Sequence, residues 1–195
     1  MNNSFENEII LVKKGFQLIQ EIGWEEFSFE KMSKILKISD DELKKIFRCK
    51  NSILSKFSIM IDNYVEAKIS INDFKDSSTK DILFELIMLR FDEMEDYKDA
   101  LKDILQNTKK NPLLLSIISN NLLHTMDFYL ELSNAYKSSP FDFYKKNFLL
   151  LIYSLSFKTW LEDNTEDLSK TMAELDKLLS MAQSFQNNIK NFLPI

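Results

Sequence analysis

The sequence predicts an all-α protein, and three observations carry that expectation. Its 195 residues include two glycines and three prolines, far below the share that a strand-rich fold spends on its turns. Apolar residues recur at spacings of three and four, the stripe of a helix buried on one side. The breaks between such stripes are few, so the helices must be long.

From the N-terminus, Glu8 to Ile22 carries Ile9, Val12, Phe16 and Ile19 on one face. Gly23 stops that helix, because glycine accepts positive φ cheaply. Ser28 suits the N-cap of a short second helix that turns Phe29, Met32, Ile35 and Leu36 inward. Ser39 with Glu42 three residues on forms a capping box for a third helix, whose Leu43, Ile46 and Phe47 face the core. A fourth helix runs from about Ser52 to Ile69. The second and third helices, separated by a turn of about three residues, have helix-turn-helix spacing. Asp73 to Thr79 is a polar linker, and long helices follow near 79–95, 97–107, 111–134, 141–162 and 166–191. Asn111-Pro112 and Ser138-Ser139-Pro140 mark two of the breaks, since a residue before proline avoids the helical region. Two domains are expected: 1–69, a three- or four-helix head carrying the helix-turn-helix, and 70–195, a larger helical body.

Composition bounds the function. Hydrophobic residues make up 45% and charged residues 28% of the chain, the balance of a globular protein. Cys49 is the sole cysteine, which rules out an internal disulfide and suits a reducing compartment. The longest apolar run, FLLLIYSLSF, is half the roughly 20 residues a membrane span needs. A cytoplasmic location is expected. Net charge is −5, yet residues 1–60 hold ten Lys/Arg against nine Asp/Glu, while the remainder holds 15 against 21.

The run LVKKGFQLIQEIGWEEFSFEKMSKILKISDDELKKIFRCKNSILSKF, Leu11 to Phe57, resembles the tetracycline-repressor (TetR) family of bacterial regulators. The matching features are Gly23-Trp24, the hydroxyl of Ser28, the small Ser33, Ile38-Ser39, Phe47 and Lys50 three residues later. In the second half, RFDEMEDYKDAL and TWLEDNTEDLSKTMAELDKLL resemble one branch of the same superfamily. The latter is also similar to TetR-shaped accessory proteins of ubiquinone biosynthesis, which bind lipid and not DNA. The resemblance implies a homodimer formed by the last two long helices and an apolar ligand site in the body. Three positions depart from the pattern: Lys37 where the turn usually has glycine, Asp41 where a small residue is usual, and Lys44 where tyrosine meets a phosphate.

Ser28, Lys37, Ser39, Lys44, Lys45 and Lys50 are the candidate DNA contacts, with Lys31, Lys34 and Arg48 beside them. Lysines there supply phosphate contacts, the main source of affinity. Asp40-Asp41-Glu42 oppose them, because the start of a recognition helix meets base edges within the field of the phosphates. The same acids also complement the helix dipole, a structural use that needs no DNA.

In the body, Phe84, Met88, Phe91, Met126, Phe128 and Tyr129 are candidate lining for a small apolar ligand or lipid, with plain core packing as the alternative. Leu168, Met172, Leu175 and Leu179 continue one stripe that, with Phe148, Ile152 and Trp160, can build a four-helix seam between two subunits. The apolar tail IKNFLPI allows a peripheral membrane contact. No catalytic constellation is evident: His124 is the only histidine, and Cys49 has no histidine partner in sight. No metal or cofactor motif appears, and no enzymatic activity is expected.

Overall fold

The computed structural model describes residues 2–70, 74–136 and 142–192. The expected break at Ser138-Ser139-Pro140 and the side chains of the tail IKNFLPI lie outside what is described. Every regular element among the described residues is helical, as the sequence predicts: α1 (Asn2–Ile22), α2 (Phe29–Leu36), α3 (Asp40–Ile46), α4 (Ser52–Lys68), α5 (Thr79–Met94), α6 (Lys98–Thr108), α7 (Pro112–Leu132), α8 (Asp142–Glu162) and α9 (Ser169–Phe192). A 3-10 turn, Glu95–Tyr97, joins α5 to α6.

Contacts group the chain into two compact units, 1–64 with 94–122 and 65–93 with 123–195. The first unit therefore takes in α6 and the start of α7 as well as the N-terminal helices. Its core is aromatic. Phe16 of α1 stacks on Phe57 of α4 at 3.9 Å between ring centroids, and Tyr97 meets both edge-on at 5.7 and 5.1 Å. Gly15 allows α1 and α4 to approach, since a β-carbon there would sit 2.3 Å from Ile53 Cδ1. At the end of α1, Gly23 adopts φ +82° and donates its N–H to Ile19 at 2.8 Å, and the next N–H, of Trp24, donates to Asp103 Oδ2 of α6 at 2.5 Å. That last bond spans 79 residues of sequence, so α6 fastens the corner from which α2 starts.

In the second unit, Phe91 of α5 stacks on Trp160 of α8 at 5.5 Å, with Tyr153 and Phe157 around it. Arg90 is buried there, its Nε donating to the Tyr153 hydroxyl at 3.1 Å. Helix α8 packs along α9, and the connection between them explains why α9 begins at Ser169 and not near 166. Leu168 precedes it with φ +50° and has no oxygen with which to cap a helix. Asp163 does so instead. Its buried carboxylate accepts from the Thr171 N–H and hydroxyl at 2.9 and 2.8 Å, and from the Thr165 N–H and hydroxyl at 3.1 and 2.6 Å. Thr165 Oγ1 in turn accepts the Ser169 N–H at 3.1 Å. Two of the orphan donors of the first turn are thus satisfied from the loop.

Candidate nucleic-acid interface and ligand groove

The α2–α3 pair rests on a small, well-tied base. Met32 and Leu43 are buried, and Phe29 stacks on Phe47 at 4.9 Å. Ser28 caps α2, its hydroxyl accepting the Lys31 N–H at 3.2 Å. Ser33 Oγ donates to the Ile38 carbonyl at 2.7 Å and holds the turn between the helices. A serine is small enough to sit where the two helices meet and still supplies the hydroxyl. Ser39 and Glu42 complete the capping box in both directions at 3.2 Å. Ile35, expected to point inward, is exposed instead, because an eight-residue helix buries only a narrow face centred on Met32.

The candidate contact residues fall into three groups. Ser28 and Ser39 spend their hydroxyls on helix starts, which leaves them as anchors of the element's register. Lys37, Lys44, Lys45 and Arg48 are exposed and make no ion pair among the described residues, which leaves their charge available. Lys37 occupies the turn at φ 54°, the left-handed conformation that favours glycine. The third group is bound up locally. Lys31 pairs with Glu26 and Lys34 with Glu30, each at 2.6 Å.

Lys50 belongs to that third group as well. Its ammonium donates to the Trp24 carbonyl and, at 3.2 Å, to the Glu25 carbonyl, and lies 4.7 Å from the Trp24 ring centroid. Burial there pushes its pKa below the usual lysine value. It clamps the α1–α2 corner to the start of α4, while Asp103 fastens the same corner through the Trp24 N–H. Nothing local in the sequence marks Asp103 as part of this platform.

Asp40 and Asp41 are exposed, each four residues before a lysine, Lys44 and Lys45. That spacing and order favour pairing along a helix, yet neither acid makes an ion pair among the described residues. The N-terminal end of α3 therefore presents bare carboxylates, with the bare lysines one turn further on.

In the second unit the six candidate pocket residues separate. Phe91, Met126 and Tyr129 are fully buried core, and Phe128 is half-buried against Tyr129 at 5.8 Å. Phe84 and Met88, with Leu89, floor an open groove of about 550 Å³ along α5. Asp81, Glu85 and Asp92 of α5 and Asp176 of α9 line the same groove. Among the described residues no group of three His, Cys, Asp or Glu side chains is placed to hold a metal ion.

The candidate interface residues separate in the same way. Ile152, Trp160, Leu168, Leu175 and Leu179 are buried in their own unit, where α8 and α9 pack together. Phe148 and Met172 remain outside at 44% and 41% exposure, joined on α8 by Leu151 and Leu155 at 52% and 44%. Tyr144, Phe148, Leu151 and Leu155, spaced by four, three and four, form a second stripe on the outer face of α8. No described helix is long and apolar enough to cross a membrane.

No family model and no curated protein matches the sequence. The fold does have a match. A crystal structure of the TetR transcriptional regulator from Nitrosomonas europaea ATCC 19718 superposes with a TM-score of 0.73 at 19% identity, over 90% of this chain and 97% of that one. The chain has the fold of that regulator, over nearly its full length.

Proposed function

From this fold, we propose that the protein is a TetR-like transcriptional regulator: a homodimer that binds DNA through residues 28–50 of its 1–69 head. Residues 70–195 take a small apolar ligand and pair the subunits. The observation that carries the proposal is the intact α2–α3 element, capped at both starts and clasped by Ser33, with Lys37, Lys44, Lys45 and Arg48 unpaired on it. Exposed cations at that place are what phosphate contacts would use, and they support the reading. Ligand would act by population shift, favouring a subunit arrangement whose heads no longer match the half-site spacing. On this reading the chain is a binding protein and not an enzyme.

The test is a titration of the purified protein against DNA from its own upstream region, repeated at several salt concentrations. The expected result is specific binding with a steep salt slope, and a slope reduced by about one for each of Lys44→Ala and Lys45→Ala. Binding at physiological salt no tighter than to random DNA would overturn it.

One observation favours a second reading, a lipid- or quinone-binding accessory protein of ubiquinone biosynthesis without DNA binding. It is the bare Asp40 and Asp41 at the end of α3 that would enter the groove. A co-purifying isoprenoid lipid, together with altered quinone content on deletion, supports it. The absence of both removes it.

A further inference from the structure

We propose that Lys50 is a positioning residue, which sets the α2–α3 pair for DNA and lends no charge of its own to a phosphate. The inference rests on the regulator proposed above and names a residue through which its site is built.

The ammonium is occupied inside the head. It donates to the Trp24 and Glu25 carbonyls, and it lies 4.7 Å from the Trp24 ring centroid and 6.0 Å from that of Phe27. Both rings are buried. A lysine has three donors. Two are spent on the main chain of the turn, and the charge lies against π-systems that attract it. Burial has stripped the group of water, as its lowered pKa records.

The rings beside it lead into both helices. Trp24 stacks on Phe27 at 6.1 Å, Phe27 meets Phe29 edge-on at 5.7 Å, and Phe29 stacks on Phe47 at 4.9 Å. Phe29 is the first residue of α2, and Phe47 is the C-cap of α3. The row thus joins the α1–α2 corner to the start of one helix and the end of the other. Lys50, three residues past Phe47, returns to the first ring and closes the circuit. Aromatic pairs prefer particular angles as well as distances, so the seat of Lys50 bears on how α2 and α3 are set.

To reach a phosphate, the ammonium would have to leave two charge-assisted bonds and the Trp24 ring. Lys44 and Lys45 are exposed on α3 and supply charge without that loss.

The experiment uses the full-length protein and three variants, each shown to be folded by circular dichroism. Lys50→Met keeps the apolar stem and removes charge and donors. Lys50→Arg keeps a cation that can address two carbonyls and lie on a ring. Lys44→Ala is the phosphate-contact control. Amide hydrogen exchange is measured without DNA, and upstream duplex is titrated at several salt concentrations. In Lys50→Met the α2 and α3 amides are expected to exchange about tenfold faster, and the duplex to bind about tenfold more weakly at every salt concentration, with the wild-type salt slope. Lys50→Arg should recover most of both. Lys44→Ala should lower the slope by about one and leave exchange as it was. A slope lowered by about one in Lys50→Met, unchanged exchange, unchanged affinity, or no recovery in Lys50→Arg would each overturn the inference. A wild type that binds no DNA removes the regulator, and exchange then decides alone: faster in Lys50→Met, Lys50 still sets the pair; unchanged, it does not.

Discussion

Two single residues carry more of this fold than their types suggest. Lys37 holds a left-handed turn at φ 54°, a conformation that costs a residue with a β-carbon about 1 kcal/mol relative to glycine. Lys37→Gly should raise stability by up to about that amount in denaturant unfolding, less the entropy glycine adds to the unfolded chain. A loss of stability would mean that the lysine stem packs usefully. Asp163 is the opposite case, a residue whose removal should be severe. Burial alone would raise its carboxyl pKa, but hydrogen bonds from Thr165 and Thr171 outweigh burial and hold it far below the ordinary value of 3.8. Because the folded value lies below the unfolded one, the unfolded state takes up more protons in acid. The stabilisation is full above pH 3.8 and is lost as the pH falls below it. Asp163→Ala should cost about 3 kcal/mol at neutral pH, the worth of several charge-assisted bonds less the relief of an unburied charge. It should also flatten the acid limb of the stability profile, which unfolding from pH 6 down to pH 2, about the range in which a carboxyl titrates, will show. Local chemistry of this kind was partly legible in sequence. Ser39 and Glu42 are three residues apart and declare their box, while Asp163 declares nothing until the chain has turned back to bring Thr171 over it.

At the level of elements, α3 sets a contest between helix start and ligand. Its three acids stabilise the helix by about 0.3–1 kcal/mol each through the dipole, and their cost appears only when DNA is near. Asp40→Ala with Asp41→Ala should therefore lower thermal stability slightly and tighten binding to random duplex DNA. Unchanged DNA affinity would show that α3 does not enter a groove. Helix existence and order were legible throughout, because caps, Gly23 and the proline breaks mark the ends even of the short helices. Boundaries were less so. The start of α9 shifted to Ser169 because its cap comes from the loop before it, and Ile35 turned outward because α2 is too short to bury both edges of its stripe. Lys50 was legible as a matching position of the resemblance but not in its task, since its carbonyl partners on Trp24 and Glu25 lie 26 and 25 residues back.

At the scale of the whole molecule, periodicity identified apolar stripes without identifying what covers them. Ile152, Trp160, Leu175 and Leu179 have the spacing of a seam between subunits, and the structure buries them within one unit, Trp160 against Phe91 of α5. Spacing is the same in both cases, and only the position of the neighbouring helix decides. Of the candidate seam, Met172 and the outer stripe of Tyr144, Phe148, Leu151 and Leu155 stay exposed, and the proposed dimer would have to use them. Phe148→Asp with Leu151→Asp should convert a dimer to a monomer in sedimentation velocity with helicity retained. A wild-type protein that is already monomeric would remove the dimer from the proposal. The candidate ligand residues divide for the same reason: Phe84 and Met88 face the groove, while Phe91, Met126 and Tyr129 serve the core.

The bond from Trp24 to Asp103 also sets an order of events during synthesis. The unit that holds α2 and α3 is completed by residues 94–122, so a nascent chain that has released only its first 69 residues lacks the helix that fastens the Gly23-Trp24 corner. A head of residues 1–69 alone lacks that bond, and is expected to be less stable than the whole chain in denaturant unfolding. A gene fragment cut at the linker would express the α2–α3 pair without the helix that fastens its corner, which comes only after more than half of the chain.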